Sequence, residues 1–188
     1  AGQRCLPRFG RLQKGARRQG DPRAAHVQQR RAPLDHHIAV VGNAREVDAL
    51  CQQHLLPGVD RPQLPDAKLH GMLMGFADLV FEHQGRYWVL DYKSNHLGAD
   101  DAAYTPQALS AAMAQHRYEV QAALYMLALH RLLRARLGAD YDPEQRLGGA
   151  VYVFLRGIDG PAGGCCTLPA PRALLEGLDA LLDAEVMP

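Results

Sequence analysis

Gly75-Phe76-Ala77-Asp78-Leu79-Val80-Phe81-Glu82 and Tyr87-Trp88-Val89-Leu90-Asp91-Tyr92-Lys93, joined by His83-Gln84-Gly85-Arg86, form the stretch that decides the fold. Both runs are strand-like, and the linker places Gly where a tight turn needs a residue without a Cβ. A β-hairpin is predicted. A loop of two residues (Gln84-Gly85) and a loop of four (83–86) give the same pairing, with Asp78 directly opposite Asp91. An odd-length turn would break it. Directly paired residues share a face, with Cβ atoms about 4.5–5.5 Å apart. Lys93 lies two residues beyond Asp91 and projects from that same face.

Two facing carboxylates repel and destabilise a sheet unless positive charge lies between them. Their neighbours Phe76, Leu79, Val80, Phe81, Trp88, Val89 and Leu90 are apolar. A hard divalent cation explains that combination most simply. Mg²⁺ takes one or two carboxylates, with water and phosphate oxygens completing its shell. It would polarise a phosphodiester and acidify a bound water, while Lys93 oriented that water or neutralised charge on the phosphate. From spacing alone, a solvated ion cluster on an exposed hairpin face is an equally good reading, since such clusters are common.

Outward from the hairpin, Ala44 to Leu56 predicts a short helix ended by Pro57-Gly58, and three prolines in 57–66 predict an extended connection. Downstream, a polar loop with Asp100 and Asp101 precedes one long helix from about Ala108 to Leu137, with Gly138 as its cap. Gly149 to Arg156 predicts a buried strand, and Pro171 to Val186 a final helix. No internal repeat is present. The order implies an α/β fold with helices packed on a small mixed sheet.

The chain has 188 residues, 47% of them hydrophobic, enough for one domain with a real core. No run of about 18 apolar residues suggests a membrane span, and the basic N-terminus lacks the apolar core of a secretory signal. Cys5, Cys51, Cys165 and Cys166 show neither zinc-ligand spacing nor iron–sulfur clustering; a reducing cytoplasm is expected. The net charge of +1 hides an asymmetry. Residues 1–35 hold nine basic and two acidic residues, and the remainder twelve and eighteen. Residues 1–43 read as a basic arm, disordered or foreign to the domain, which begins at Ala44 and runs to Pro188. Such an arm could touch nucleic-acid phosphates.

The runs from Gly75 to Phe81, from Leu90 to Asn95 (LDYKSN) and from Gln121 to Tyr125 (QAALY) resemble the C-terminal nuclease domain of RecB-type exonuclease subunits, in the PD-(D/E)XK nuclease superfamily. The likeness extends through His116-Arg117-Tyr118, Gly148-Gly149 and Phe154-Leu155-Arg156-Gly157, over roughly residues 45–188. It implies a PD-(D/E)XK core and a DNA nuclease of a helicase–nuclease that acts in double-strand break repair and recombination. Asp78 and Asp91 would bind catalytic Mg²⁺ with the Tyr92 backbone carbonyl, and Lys93 would be the catalytic lysine. Gln121 and Tyr125 match the family's glutamine motif; at i and i+4 they share one helix face. DNA would be the substrate, with RecC and RecD as companion subunits.

Two departures qualify the likeness. Relatives open this domain with a Gly-Thr-x-x-His helix whose histidine completes the metal shell, and residues 1–44 hold no match to it. The chain also lacks a G-x-x-x-x-G-K-[ST] phosphate loop, so ATP belongs only to the helicase part of relatives. The alternative is therefore an impaired, nuclease-like fragment serving only DNA or subunit contact. A hairpin with Asp78 and Asp91 on opposite faces would overturn the metal-site expectation.

Overall fold

The computed structural model describes residues 38–73 and 75–182. The predicted hairpin is present as β3 (Leu79–His83) and β4 (Arg86–Lys93). Its ladder runs from His83 opposite Arg86 to Leu79 opposite Leu90, which is the predicted register. The two turn residues, Gln84 and Gly85, have φ of 52° and 77°. Both being positive is the mark of the hairpin turn whose twist matches the strands.

β4 pairs in parallel with β5 (Leu147–Phe154), which pairs antiparallel with β6 (Cys165–Leu168), giving one mixed sheet in the order β3-β4-β5-β6. A parallel pair needs a long crossover. Here it consists of α2 (Pro106–Gln115), α3 (Tyr118–Leu137) and the one-turn α4 (Pro143–Arg146). A bulge lets Gly148 fall between the partners of Tyr87 and Trp88. A Cβ there would lie 2.1 Å from the Trp88 ring, so only glycine fits.

Alternation divides the sheet. Val89, Ala150, Tyr152 and Phe154 face a helical layer and belong to the main core, whereas Phe81, Leu90 and Val151 form a smaller cluster on the reverse. The helical layer holds α1 (Ala44–His54), α3 and α5 (Arg172–Leu181) in mutual contact. α3 is central: Ala122, Ala123, Met126, Leu127 and Leu129 are all but inaccessible. Small residues on this helix allow close approach of its neighbours, and each fully buried leucine contributes about 1.5–3 kcal/mol. Arg131 and Arg134 hold Asp179 at 2.5 and 2.7 Å, pinning α5 to α3.

The structure departs from the sequence expectations in three places. Residues 38–43, assigned above to the arm, form strand β1 (Ile38–Asn43) against β2 (Lys68–Leu73), in a second, two-stranded sheet. Asn43 closes that strand and caps α1 by accepting the Arg45 N–H at 2.8 Å. Residues 1–37 and 183–188 lie outside the described residues, as does the end of the last predicted helix. β6 was also not expected.

The third departure is the long helix, which is broken in two. Arg117 has φ 56°, a left-handed conformation that costs a residue with a Cβ about 1–2 kcal/mol. Its guanidinium donates to the Asp48 carboxylate, to Glu119 Oε1 at 2.7 Å and to the Pro62 carbonyl at 2.7 Å. Asp48 Oδ2 also accepts the Leu64 N–H at 2.8 Å, and Arg61 sits 3.5 Å from Glu119. One buried ion cluster thus ties α1, the proline-rich connection and the start of α3 together. Burial pushes the Asp48 carboxyl up, but hydrogen bonds from Arg117, Gln52 and Leu64 outweigh it and hold the group below its ordinary value.

Arg117→Ala should leave Asp48 buried without its cation and Glu119 with Arg61 alone, and lower stability by about 3–5 kcal/mol in urea unfolding. A depressed carboxyl contributes its full stability above the ordinary carboxylate range and loses it as pH falls through the depressed folded value. Acidification should therefore destabilise the native protein more than the Arg117→Ala variant.

Candidate active site

β4 delivers Asp91 and Lys93 to the helical side of the sheet at its C-terminal end. Asp78 stands one residue before β3 and is exposed; its Oδ2 accepts the Tyr92 N–H at 2.8 Å, continuing the hairpin beyond its last ladder pair. Asp91 is only 7% exposed and pairs through Oδ2 with Lys93 Nζ at 2.7 Å. Asp91 and Lys93 are thus in direct contact, and Asp78 is near enough for its charge to act on Asp91.

From α3, Gln121 reaches down to the same point. Its Oε1 accepts from Lys93 Nζ at 2.9 Å and from the Tyr152 hydroxyl at 3.2 Å, and its Nε2 donates to the Tyr125 hydroxyl at 2.9 Å. Tyr125 then donates to the Phe76 carbonyl at 2.7 Å. Its ring also occupies the space where a Gly75 Cβ would fall, 2.8 Å away. Gly75 and Phe76 thereby run along Tyr125 into Asp78. A partly buried amide is best served by partners at both its ends, and here the amide of Gln121 joins helix to hairpin.

Sequence reasoning missed Tyr152 and gave Tyr118 no role. Tyr152 is opposite Asp91 across the parallel β4–β5 ladder. That pairing depends on a distant crossover and leaves no local signal. Tyr118 lies under the Lys93 ammonium, 3.9 Å from ring centroid to Nζ.

The electrostatics are those of a site with too much negative charge. Burial pushes the Asp91 carboxyl up, Lys93 opposes this, and the Asp78 charge adds to it; the balance is upward despite the close ion pair. Burial, together with the Asp91 and Asp78 charges, raises the Tyr125 phenol, and burial with Asp91 pushes Tyr152 up strongly. Two acids against one lysine favour a further cation. Two carboxylates suit a hard ion that keeps water in its shell, as Mg²⁺ does. Among the described residues no third His, Cys, Asp or Glu joins them.

The family model of the PD-(D/E)XK nuclease superfamily matches residues 10–181. The chain belongs to that superfamily. Within it the nuclease domain is RecB-like: it is 51% identical over 142 residues to the RecBCD enzyme subunit RecB of Escherichia coli, covering 74% of this chain and 12% of that protein. RecB of Mycobacterium tuberculosis is 43% identical over 129 residues, covering 64% of this chain and 12% of the relative. RecB of Haemophilus influenzae is 44% identical over 93 residues, or 50% of this chain and 8% of the relative. The chain thus spans about an eighth of the Escherichia coli and Mycobacterium tuberculosis proteins. No helix among the described residues is long and apolar enough to cross a membrane.

Gln121→Leu keeps the side-chain bulk but strips Lys93, Tyr125 and Tyr152 of a shared partner. It should cost about 1–3 kcal/mol in urea unfolding, the penalty for buried groups left unpaired. A variant as stable as the parent would show that water replaces the amide.

Proposed function

We propose that this chain is the nuclease part of a cytoplasmic helicase–nuclease, hydrolysing phosphodiester bonds of linear DNA in double-strand break repair and recombination. One observation carries this reading: Asp78 and Asp91 lie together on one hairpin, with Lys93 in contact with Asp91. Asp78, Asp91 and the Tyr92 carbonyl would hold Mg²⁺, which when bound supplies Lewis acidity and a more acidic water. Lys93 presents its ammonium beside the scissile phosphate and stabilises charge that develops there. Gln121 holds Lys93 in place, and Tyr125 holds the chain leading to Asp78. RecC- and RecD-like subunits are the expected companions, from the name of the relatives.

The second reading, a weakened site serving DNA or subunit contact, draws on the two-carboxylate donor set. Loss of even outer-shell support costs about 10–100-fold in metal affinity or activity, and a missing direct ligand should cost at least that.

The purified chain should degrade end-labelled linear DNA with Mg²⁺ and stop when the metal is chelated. Asp78→Ala, Asp91→Ala and Lys93→Ala should each lower the rate at least about 100-fold. Calorimetric Mg²⁺ titration separates the two readings: tight binding lost in Asp91→Ala indicates a complete shell, and weak binding the impaired one. Digestion that survives Asp91→Ala would remove the hairpin as the active site.

A further inference from the structure

Lys93 has more partners than an ion pair requires. Besides Asp91 and Gln121, its Nζ lies 3.9 Å from the Tyr118 ring centroid and 5.2 Å from that of Tyr152. Tyr118 stacks between His116, with centroids 5.3 Å apart, and Tyr152, 6.0 Å away, each at 19°. Its hydroxyl meets Asn95 Oδ1 at 3.3 Å. Tyr118 is also the first residue of α3, directly after the left-handed Arg117.

We propose that Tyr118 is a positioning residue for the Lys93 ammonium, its ring set in place by the Arg117 junction. The proposal rests on the hairpin being the active site. A lysine is a point charge on a flexible four-carbon stem, and holding it in one place costs rotamer entropy. Asp91 is a poor sole anchor, because a carboxylate that also serves a cation attracts the ammonium less. The Tyr118 ring and the Gln121 oxygen are uncharged. They hold the ammonium without cancelling its charge and without competing for a metal. A cation over an aromatic face, removed from water, is attracted by the ring quadrupole, and the Lys93 side chain is only 12% exposed.

The junction explains why the ring lies where it does. An uninterrupted helix would carry residue 118 around the axis from its present direction. The turn at Arg117 redirects it, and that turn is held by Asp48, Glu119 and Pro62. The strained residue thus couples the ion cluster to the reacting lysine through one peptide bond.

The test uses the whole chain with ¹³C-labelled lysine. Only Lys14, Lys68 and Lys93 give signals, so assignment is simple. In the parent and in Tyr118→Phe, the Lys93 ε-methylene protons should be shifted upfield by the ring; in Tyr118→Leu most of that shift should be lost, leaving only what the more distant Tyr152 ring contributes. With Mg²⁺ and linear DNA, Tyr118→Leu should lower kcat about tenfold and leave KM within about twofold, while Tyr118→Phe stays near the parent. An unshifted Lys93 signal in the parent overturns the proposal, and this arm stands even if Tyr118→Leu does not fold. So does a parent-like kcat in Tyr118→Leu, or an equal loss in Tyr118→Phe, which would assign the effect to the Asn95 bond. Asp91→Asn is the control: if it is fully active, the active-site reading falls and takes the proposal with it. If it is dead while Tyr118→Leu is normal, only the proposal falls.

Discussion

The ammonium of Lys93 is where the two layers of this protein meet. It grips a carboxylate on its own strand and an amide oxygen on α3, so sheet and helix share one charged hydrogen-bonded centre. A centre of this kind demands accuracy. In a water-poor setting a satisfied network is rigid, and a half-satisfied one is worse than an apolar core. The apolar packing of α3 brings the layers together, and the polar chain from Asp91 through Gln121 to the Phe76 carbonyl sets their relative position.

Two ionic assemblies lie against this helix, with opposite balances. Around Arg117, cations and carboxylates are matched, and Asp48 is held below its ordinary value. At the hairpin, acids outnumber the lysine and Asp91 is held above it. The first assembly serves the fold; the second keeps unmet charge that a stability argument alone would remove. Stored electrostatic tension of this kind clusters where chemistry is done.

How much of this was legible in the sequence depended on how local the governing physics is. The hairpin register that leads up to Asp78 and Asp91 followed from the parity of a turn, and the i, i+4 spacing placed Gln121 with Tyr125. Both rest on fixed backbone periods. The break at Arg117 was invisible, because a helical period continues through it and the forces imposing it come from Asp48 and Pro62, far away in the chain. Strand β1 was hidden for a related reason: its partner, β2, lies beyond a helix and three prolines. Tyr152 read as one more apolar residue in a buried strand until the crossover placed it beside Asp91. The family likeness supplied roles for Asp78, Asp91 and Lys93 that spacing alone left open between a metal site and a surface ion cluster.

The turn at Gln84-Gly85 has a consequence for how such a gene can vary. Insertions and deletions arrive as whole codons, and side chains alternate between faces with a period of two. One codon gained in this turn, where a two-residue turn re-forms around it and β4 is unmoved, would carry the whole of β3 by one step, sending Phe81 toward the helices and Asp78 away from Asp91. A codon taken up as a longer loop, closed by the same His83–Arg86 pair, leaves the register as it is. Tolerance of length change at this hairpin therefore turns on whether loop or ladder absorbs the codon, at a site far from the charges at stake.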